Sequence, residues 1–442
     1  MGVILRRPKA DEGSQKNKMQ TQTKNSLKSL LLPLLEEVKN ASVAAAQFSS
    51  ATKKRVLLEA ARELRKGIPR LLRENKKDLA EAGKNGLSNA MIDRLTLTPE
   101  RISEMADGVE AVAALPDPVG RVTASWKRPN GLRISKVTVP LGVILIIYES
   151  RPNVTVECAS LCLKSGNAVI LRGGREAFHS SRALSSIFEK ALRKRGLPAA
   201  CVSFLQTTER AAVDFLLKRD QDIHLVIPRG GQALIRKVAR ASRIPVIKHY
   251  QGICHVYVDA KADLKKAAAI AYNAKMQRPG VCNAMETLLV HEKAAPKFLP
   301  PLGEKLKAGG CEVRADRAAQ RFLPWAKRAG PHDFGHEFLD KILAVKVVPS
   351  LDTAIEHIQN YGSAHTDAIV TEDRRAAEIF KQKVDSSSVM VNASTRFSDG
   401  FQYGFGAEIG ISTDKIHARG PMGLEGLTSY KYVVEGTGQI RT

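Results

Sequence analysis

The chain has 442 residues, of which 43% are hydrophobic and 5% aromatic, and its formal net charge is +24. This length allows two or three domains with large buried cores, and the lack of any long apolar run argues against a transmembrane helix. Six irregularly spaced cysteines in so long a chain argue against a disulfide framework. We therefore predict a cytoplasmic protein with reduced thiols.

The excess of positive charge has two interpretations. A basic body can bind nucleic acid, but it also suits anionic small substrates. The sequence contains no recognised nucleic-acid module and few aromatic residues for stacking, so we predict no nucleic-acid partner and a mainly solvated basic surface. The first residues, 1–25, are polar and rich in lysine, which predicts a disordered basic tail.

Helical patterns dominate the first quarter of the chain. They predict helices over 27–47, 53–74, 79–82 and 99–114. The next segment reads as two strands joined at Asn130-Gly131, the dipeptide that most strongly signals a hairpin. Because a hairpin interrupting an α/β pattern often leaves the main body, we expect it to pair elsewhere, for example with another subunit.

From Gly142 onwards, short apolar runs alternate with helical patterns, which predicts a parallel sheet of βαβ units. The predicted strands are 143–148, 168–172, 202–205, 224–227 and 246–249, and the predicted helices are 154–164, 178–193, 209–217 and 231–240. Further strands are expected near Leu288, Val313, Val345 and Ala368. Ligands of such sheets bind beyond the carboxyl ends of the strands. The chain lacks the G-x-G-x-x-G fingerprint of dinucleotide binding.

The stretch Arg278-Pro279-Gly280-Val281-Cys282 is the most informative for chemistry. It lies between a helical run, 264–276, and an apolar run, 286–290. Unpaired peptide N–H groups at such a junction are expected to favour a thiolate and the oxyanion formed when it attacks a carbonyl. The alternative is a small buried core thiol. We interpret Cys282 as a nucleophile.

A metal site is not expected from the sequence. Cys158 and Cys162 share a helix face at a spacing of four residues, but two further ligands are not evident near them. Two small core residues are the simpler interpretation.

Several motifs stand together in an order that resembles the aldehyde dehydrogenase superfamily and, within it, the gamma-glutamyl phosphate reductases. They are Tyr148–Thr155, Gly166–Gly174, Arg278–Ala284, Asn392–Arg396 and a signature that includes His357 and His365. The resemblance implies an α/β aldehyde-dehydrogenase-like fold with three parts. These are a Rossmann-like NADP(H)-binding domain (26–122 and 141–252), an α/β catalytic domain (253–412), and a β-hairpin oligomerisation element with the C-terminal segment (123–140 and 413–442).

The resemblance also implies a reaction. Glutamyl 5-phosphate and NADPH would give glutamate 5-semialdehyde, phosphate and NADP through a thioester on Cys282, the second step of proline biosynthesis from glutamate. The implied partners are a second copy of the chain, in a homo-oligomer, and glutamate 5-kinase in a transient contact. The alternative function is a hydrolytic NAD(P)-dependent aldehyde dehydrogenase. His249 stands where hydrolytic relatives have the glutamate that activates water, which counts against hydrolysis.

Roles for individual residues follow from the same resemblance. Asn153 matches the oxyanion-hole amide, beside the backbone N–H of Cys282, although it could instead cap the helix after Pro152. Arg172 and Arg175 are expected to bind the adenosine ribose and its 2′-phosphate, although two solvated arginines at a turn would look the same.

Five further residues complete the expected site. Gly230, in a strand-to-helix turn, and Glu337, in the position of the glutamate that orients the nicotinamide ribose, are expected to contact the cofactor. Arg151, Arg278 and Arg396 are candidates for the phosphate and carboxylate of the substrate, since forked donors suit both anions. The sequence leaves open which arginine binds which anion.

Overall fold

The protein is represented by a computed structural model that describes residues 11–441, without the side chains of residues 11–26, 89 and 90. The helices of this part are α1 (Asp11–Ala45), α2 (Ser50–Lys66), α3 (Ile68–Lys84), α4 (Asn89–Leu95), α5 (Pro99–Ala114), α6 (Pro152–Lys164), α7 (Phe178–Arg193), α8 (Arg210–Leu216), α9 (Gln232–Ala241), α10 (Leu264–Met276), α11 (Ala295–Ala308), α12 (Leu351–Tyr361) and α13 (Arg374–Lys383). The strands are β1 (Val122–Lys127), β2 (Arg133–Pro140), β3 (Val143–Tyr148), β4 (Ala168–Arg172), β5 (Val202–Phe204), β6 (Leu225–Arg229), β7 (Cys254–Val258), β8 (Met285–His291), β9 (Glu312–Ala315), β10 (Lys327–Arg328), β11 (Ile342–Val348), β12 (Thr366–Val370), β13 (Ser388–Val391), β14 (Ile411–Ser412), β15 (Gly420–Pro421) and β16 (Thr428–Glu435).

The N-terminal region differs from the prediction in two places. Of the predicted disordered tail, residues 1–10 lie outside the described residues, but residues 11–25 belong to α1, so the prediction is wrong for them. The helix continues backwards from a packed stripe of Leu27, Leu31, Leu35 and Val38. Propagating an existing helix costs far less than nucleating a new one.

The helix predicted over 53–74 is in fact two helices. Gly67 ends α2, where its N–H bonds to the Glu63 and Leu64 carbonyls, and Pro69 opens the first turn of α3. A proline fits a first turn but would break a helix interior. The short helix α4 was not predicted.

A four-stranded parallel sheet with the order β5-β4-β3-β6 forms the first core. Every residue of β3 is buried, because helices pack on both faces of the sheet. The strand predicted over 246–249 is wrong. Val246 forms only a single bridge to Val226, and Lys248 then accepts a hydrogen bond from Thr413 instead of extending the sheet.

A seven-stranded parallel sheet with the order β10-β9-β11-β8-β7-β12-β13 forms the second core. Strand β8 lies at its centre and is buried throughout. The four strands predicted after Cys282 all belong to this sheet.

The predicted hairpin is confirmed as β1 and β2, joined around Asn130-Gly131. A third strand, β16, pairs with β2 along its whole length, from Thr428 opposite Pro140 to Glu435 opposite Arg133. This three-stranded antiparallel sheet therefore combines the two segments that the sequence analysis grouped together, 123–140 and 413–442.

The two parallel sheets present opposite ends to one region of the molecule. In the four-stranded sheet, the candidate residues lie at the carboxyl ends of β3, β4 and β6 or in the turns that follow them. Candidate residues of the seven-stranded sheet precede its strands: Gly252 before β7, Cys282 before β8, Glu337 before β11 and His365 before β12. The candidate site is thus built from a carboxyl edge and an amino edge.

Candidate active site

Cys282 lies in an irregular turn between the end of α10 and the start of β8 and is partly exposed. Its peptide is held closely. A Cβ atom at Gly252 would lie 1.9 Å from the Cys282 carbonyl oxygen, so only glycine fits there. The Cys254 thiol donates to the same carbonyl oxygen, with the sulfur 3.2 Å away. The backbone that carries the nucleophile is therefore fixed by two neighbours from the start of β7.

The expectation of a stabilised thiolate is wrong for the free protein. Burial raises the pKa of the Cys282 thiol to about 11, and the Arg229 guanidinium and the residue's own backbone N–H only partly oppose this shift. The turn follows the C-terminus of α10, where helix carbonyls rather than N–H groups are exposed. The thiol therefore rests protonated at neutral pH.

Two histidines accompany the thiol. The side-chain ligand atoms of His249, Cys282 and His365 all lie within 4.8 Å of one another. Burial lowers the pKa of His249 to about 4, with Arg229 adding to the effect, and burial lowers that of His365 to about 3. Both imidazoles are therefore neutral, and each can accept a proton.

Hydrogen bonds orient both rings. His249 Nδ1 lies 3.0 Å from the Ile411 carbonyl oxygen, which can only accept, so the proton is on Nδ1 and the lone pair is on Nε2. His365 Nδ1 contacts Thr366 Oγ1 at 2.9 Å and Cys254 Sγ at 3.7 Å. His365 Nε2 is buried and has no hydrogen-bond partner among the described residues.

Asn153 lies in the first turn of α6, and its Nδ2 donates to Glu157 Oε1 at 2.8 Å. The alternative that Asn153 caps the helix is wrong, because Arg151 occupies the N-cap position and no side chain caps that end. One amide N–H of Asn153 is thus bound within its own helix, and the second stays available for the oxyanion role, which remains a prediction.

The three substrate arginines divide between the two edges. Arg396 donates from Nε to Gln277 Oε1 at 2.8 Å and from Nη1 to Asn283 Oδ1, which ties it to both flanks of the Cys282 turn. Burial and the neighbouring Arg278 lower the pKa of Arg396, because two cations lie close together there. Arg151 lies on the other edge, at the start of α6.

Glu337 contacts the backbone beside the nucleophile. Its Oε1 accepts the Gly252 N–H at 2.8 Å, and burial raises its pKa. Its observed partner is therefore the peptide that packs against Cys282, and its contact with the nicotinamide ribose remains a prediction.

The proposed ribose-binding arginines lie at the end of β4 and in the following turn, Arg175–Ala177. Arg172 donates from Nη2 to the Thr208 carbonyl at 3.1 Å, and its buried Nε has no partner among the described atoms. Arg175 is exposed. Glu176 Oε1 accepts the Ser150 N–H at 2.6 Å and the Ser150 hydroxyl at 2.7 Å, which joins this turn to the one after β3.

Gly230 lies between β6 and α9, and a Cβ atom there would lie 2.3 Å from Glu149 Oε2. The same Glu149 oxygen accepts the Gly231 N–H at 2.9 Å, at the N-terminus of α9. The small residue thus leaves room for an acceptor group at a helix N-terminus.

Two charged residues of the site were missed by sequence reasoning. Arg229, the last residue of β6, lowers the pKa of Cys282, while burial raises the pKa of Glu408 to about 7 and Arg229 opposes the rise. The sequence offered a signal for Arg229, because it stands directly before Gly230-Gly231 at the carboxyl end of a predicted strand. Glu408 lies in a glycine-rich segment that offers no pattern.

Comparisons with known proteins agree with this geometry. The model of the aldehyde dehydrogenase family matches residues 15–320. A gamma-glutamyl phosphate reductase of Carboxydothermus hydrogenoformans is 56% identical over 411 residues, which cover 93% of this chain and 99% of that protein. The chain belongs to the aldehyde dehydrogenase family, among the gamma-glutamyl phosphate reductases.

Solved structures support the fold of this family member. The crystal structure of the gamma-glutamyl phosphate reductase of Thermotoga maritima has a TM-score of 0.92 and 45% identity, and covers 93% of this chain and 100% of its own. An engineered glycolyl-CoA reductase with bound NADP+ has a TM-score of 0.65 at 16% identity, covering 91% of this chain and 95% of its own, and shows the fold alone. Among the described residues, none of the helices has the length and apolar character needed to cross a membrane.

Proposed function

We propose that this protein reduces glutamyl 5-phosphate to glutamate 5-semialdehyde, with release of phosphate, through a thioester on Cys282. The observation that carries the proposal is the thiol between two neutral imidazoles, where the cationic carboxyl edge meets the amino edge. Its close relatives have names that describe this activity.

The chain's residues divide the chemical work. The Cys282 proton leaves during attack on the acyl carbon, because the resting thiol is protonated, and the neutral rings of His249 and His365 lie close enough to accept it. The Asn153 amide and the Cys282 N–H stabilise the developing oxyanion. Phosphate then leaves, and the remaining thioester accepts hydride more readily than a carboxylate does.

The residues of the carboxyl edge fit NADPH, which supplies the hydride when it is bound. Arg172 has a buried donor without a partner among the described residues, and Arg175 lies exposed in the following turn. These two cations favour a cofactor with a 2′-phosphate, and we propose NADP(H) over NAD(H). We further propose that Gly230 contacts the cofactor at the N-terminus of α9, where Glu149 accepts the Gly231 N–H in this structure, and that Glu337 contacts the nicotinamide ribose.

The arginines suggest how the substrate is oriented. We propose that Arg278 and Arg396 bind one anionic end, because they lie close together beside the Cys282 turn, and that Arg151 binds the other from the start of α6. Arg396 also holds the turn itself through Gln277 and Asn283.

The hydrolytic alternative requires a base that activates water. His249 donates from Nδ1 to a carbonyl, and its pKa is about 4, whereas burial raises the pKa of the nearby Glu408 carboxyl group to about 7. His249 is therefore a weaker base than a carboxylate in the same buried surroundings. We therefore infer that phosphate, rather than water, is the acceptor in the reverse direction.

The three-stranded sheet supports a proposal about assembly. Strand β1 is exposed along its whole length, and Trp126, Tyr432 and Val434 expose apolar area on this sheet. We propose that a second copy of the chain covers it, in a homo-oligomer. Transient contact with glutamate 5-kinase and a reducing cytoplasmic location, which six free thiols suit, remain further proposals.

The test is a phosphate requirement. Purified protein is given glutamate 5-semialdehyde and NADP, and NADPH formation is followed with phosphate or with sulfate at equal ionic strength. We expect sustained turnover with phosphate alone. Equal rates in both buffers would favour the hydrolytic alternative, and the lack of any NADPH in either would contradict the reductase.

A further inference from the structure

The residues around the catalytic thiol have the spacing of a metal site. His249, Cys282 and His365 place one nitrogen, one sulfur and one nitrogen within 4.8 Å of one another. This group was not expected from the sequence, because its members lie far apart along the chain. Zinc and cobalt favour tetrahedral sites built from imidazole and thiolate.

The hydrogen bonds of the two rings leave suitable ligand atoms. Each Nδ1 is engaged by a neighbour, His249 by the Ile411 carbonyl and His365 by Thr366. The buried Nε2 of His365 has no partner among the described residues, although a buried polar atom without a hydrogen bond is costly. Ring nitrogens whose other nitrogen is hydrogen-bonded in this way are the usual form of a metal-binding histidine.

We propose that Cys282, His249 and His365 bind a thiophilic divalent cation, with Zn²⁺ as the best fit, and that this binding reversibly blocks the nucleophile. Three protein ligands and one water complete a tetrahedral sphere. Zinc–ligand bonds of about 2.0–2.3 Å place tetrahedral ligands about 3.5 Å apart, so no pair of ligand atoms needs to approach by more than about 1.3 Å. Binding exchanges the Cys282 S–H proton for a Zn–S bond and releases that proton to solvent.

The surroundings suit a reversible inhibitory site. The Ile411 carbonyl holds the His249 proton on Nδ1, so this ring can offer Nε2 to a metal without losing a proton. The Arg229 guanidinium near the thiol opposes a second positive charge, which limits affinity. A bound cation would occupy the sulfur that must attack the substrate, and a chelator should restore it.

The test uses Co²⁺ as a spectroscopic probe with the whole protein in phosphate-free buffer. We expect one Co²⁺ per chain, a thiolate-to-cobalt charge-transfer band, and displacement by Zn²⁺. Cys282→Ser should remove the band. His365→Gln or His249→Gln should weaken Co²⁺ binding by roughly 100-fold or more, which exceeds the usual loss when only a hydrogen-bond partner of a ligand is removed. Matched controls are Cys311→Ser, a buried thiol elsewhere, and His332→Ala, an exposed histidine, both of which should bind as the parent does.

A second measurement needs no substitution and no enzymatic activity. Zn²⁺ at ten times its Kd should slow alkylation of Cys282 by iodoacetamide about tenfold, and EDTA should reverse this. Unchanged alkylation, a parent spectrum without the charge-transfer band, or the same band in Cys282→Ser would each overturn the proposal. Because neither readout involves glutamyl 5-phosphate, these results are independent of the proposed reaction.

Discussion

At the carboxyl edge of the four-stranded sheet the candidate side chains are mainly cations, whereas the amino edge of the seven-stranded sheet contributes the reacting groups, a thiol, a neutral imidazole and a buried carboxyl group, beside the arginine pair Arg278 and Arg396. Arg151, Arg172 and Arg229 follow or end their strands. Cys282, Glu337 and His365 precede theirs. Both sheets are parallel, so the difference comes from which end of each sheet faces the site.

Helix direction explains the contrast. In a βαβ unit, a strand's carboxyl end leads into a helix N-terminus, with exposed N–H groups, while its amino end follows a helix C-terminus. Helices α6 and α9 accordingly begin at the carboxyl edge, whereas α10 ends before Cys282. We infer that the carboxyl edge binds the anionic cofactor, while the amino edge keeps Cys282 and His365 uncharged until substrate arrives and binds one end of the substrate through Arg278 and Arg396.

The largest effect should come from removing the nucleophile. Cys282→Ala should reduce turnover to background while NADPH binding stays nearly unchanged, because Cys282 is not among the residues proposed to contact the cofactor. Steady-state rates and NADPH titration by fluorescence measure the two. Substantial reductase activity in the purified variant would refute the assignment of Cys282, and Cys311→Ser serves as the control that should remain active.

A smaller effect should follow from changing the carboxyl edge alone. Arg175→Ala should weaken NADP(H) binding by about 10- to 100-fold, the cost of losing a charge-assisted contact, and leave NAD(H) unaffected. Affinities for both cofactors should be compared with those of Arg193→Ala, which removes an exposed arginine at the far end of α7. Equal losses for NAD and NADP would show that Arg175 does not contact the 2′-phosphate.

The electrostatic effect of the carboxyl edge on the amino edge should be measurable in the reactivity of the Cys282 thiol. Arg229→Gln removes the cation that lowers the pKa of Cys282, so the pKa should rise further and alkylation at pH 9 should slow about tenfold, the effect of one pKa unit. Arg229→Lys keeps the charge and should react more nearly like the parent. An unchanged pH profile in Arg229→Gln would mean that the two edges are electrostatically independent.

The smallest predicted effect concerns a neutral histidine of α12, a helix that packs against the seven-stranded sheet. Burial lowers the pKa of His357 to about 3, and Lys346 approaches its Nδ1 at 3.3 Å, which requires an unprotonated nitrogen. The unfolded state therefore binds the proton more readily, and stability is lost as pH falls below the ordinary histidine pKa of about 6.5. Between pH 7 and 5.5 this loss should be about 1 kcal/mol.

Denaturant unfolding at the two pH values measures that loss. In His357→Gln the change should be smaller by the same amount, because the titrating group is gone. An identical pH dependence in parent and variant would show that His357 does not titrate as expected.

Local patterns were enough for much of the fold. The bounds of β3, β4, α5, α7 and α10 agree with the prediction, because each run is bounded by its own turn residues and needs no distant partner. The pairing of β16 with β2 and the single bridge at Val246 depend on residues far away in the chain, which no local pattern contains.

For the candidate site, too, the sequence predicted local features but missed those that depend on distant residues. Pro279-Gly280 correctly predicted a turn at Cys282. The predicted stabilisation of its thiolate was wrong, because the pKa of the thiol depends on burial and on the end of α10. Arg229 and Glu408 act on the thiol across the contact between sheets, so their roles appeared only in the folded chain.

A single-turnover experiment tests the central claim most directly, that Cys282 forms a thioester which phosphate, and not water, releases. Protein, NADP and glutamate 5-semialdehyde are mixed in phosphate-free buffer, and NADPH and the mass of the Cys282 peptide are followed together. We predict one equivalent of NADPH per active site, an acyl adduct on Cys282, and renewed turnover when phosphate is added. Continued turnover to glutamate without phosphate, and without an adduct on Cys282, would contradict the account.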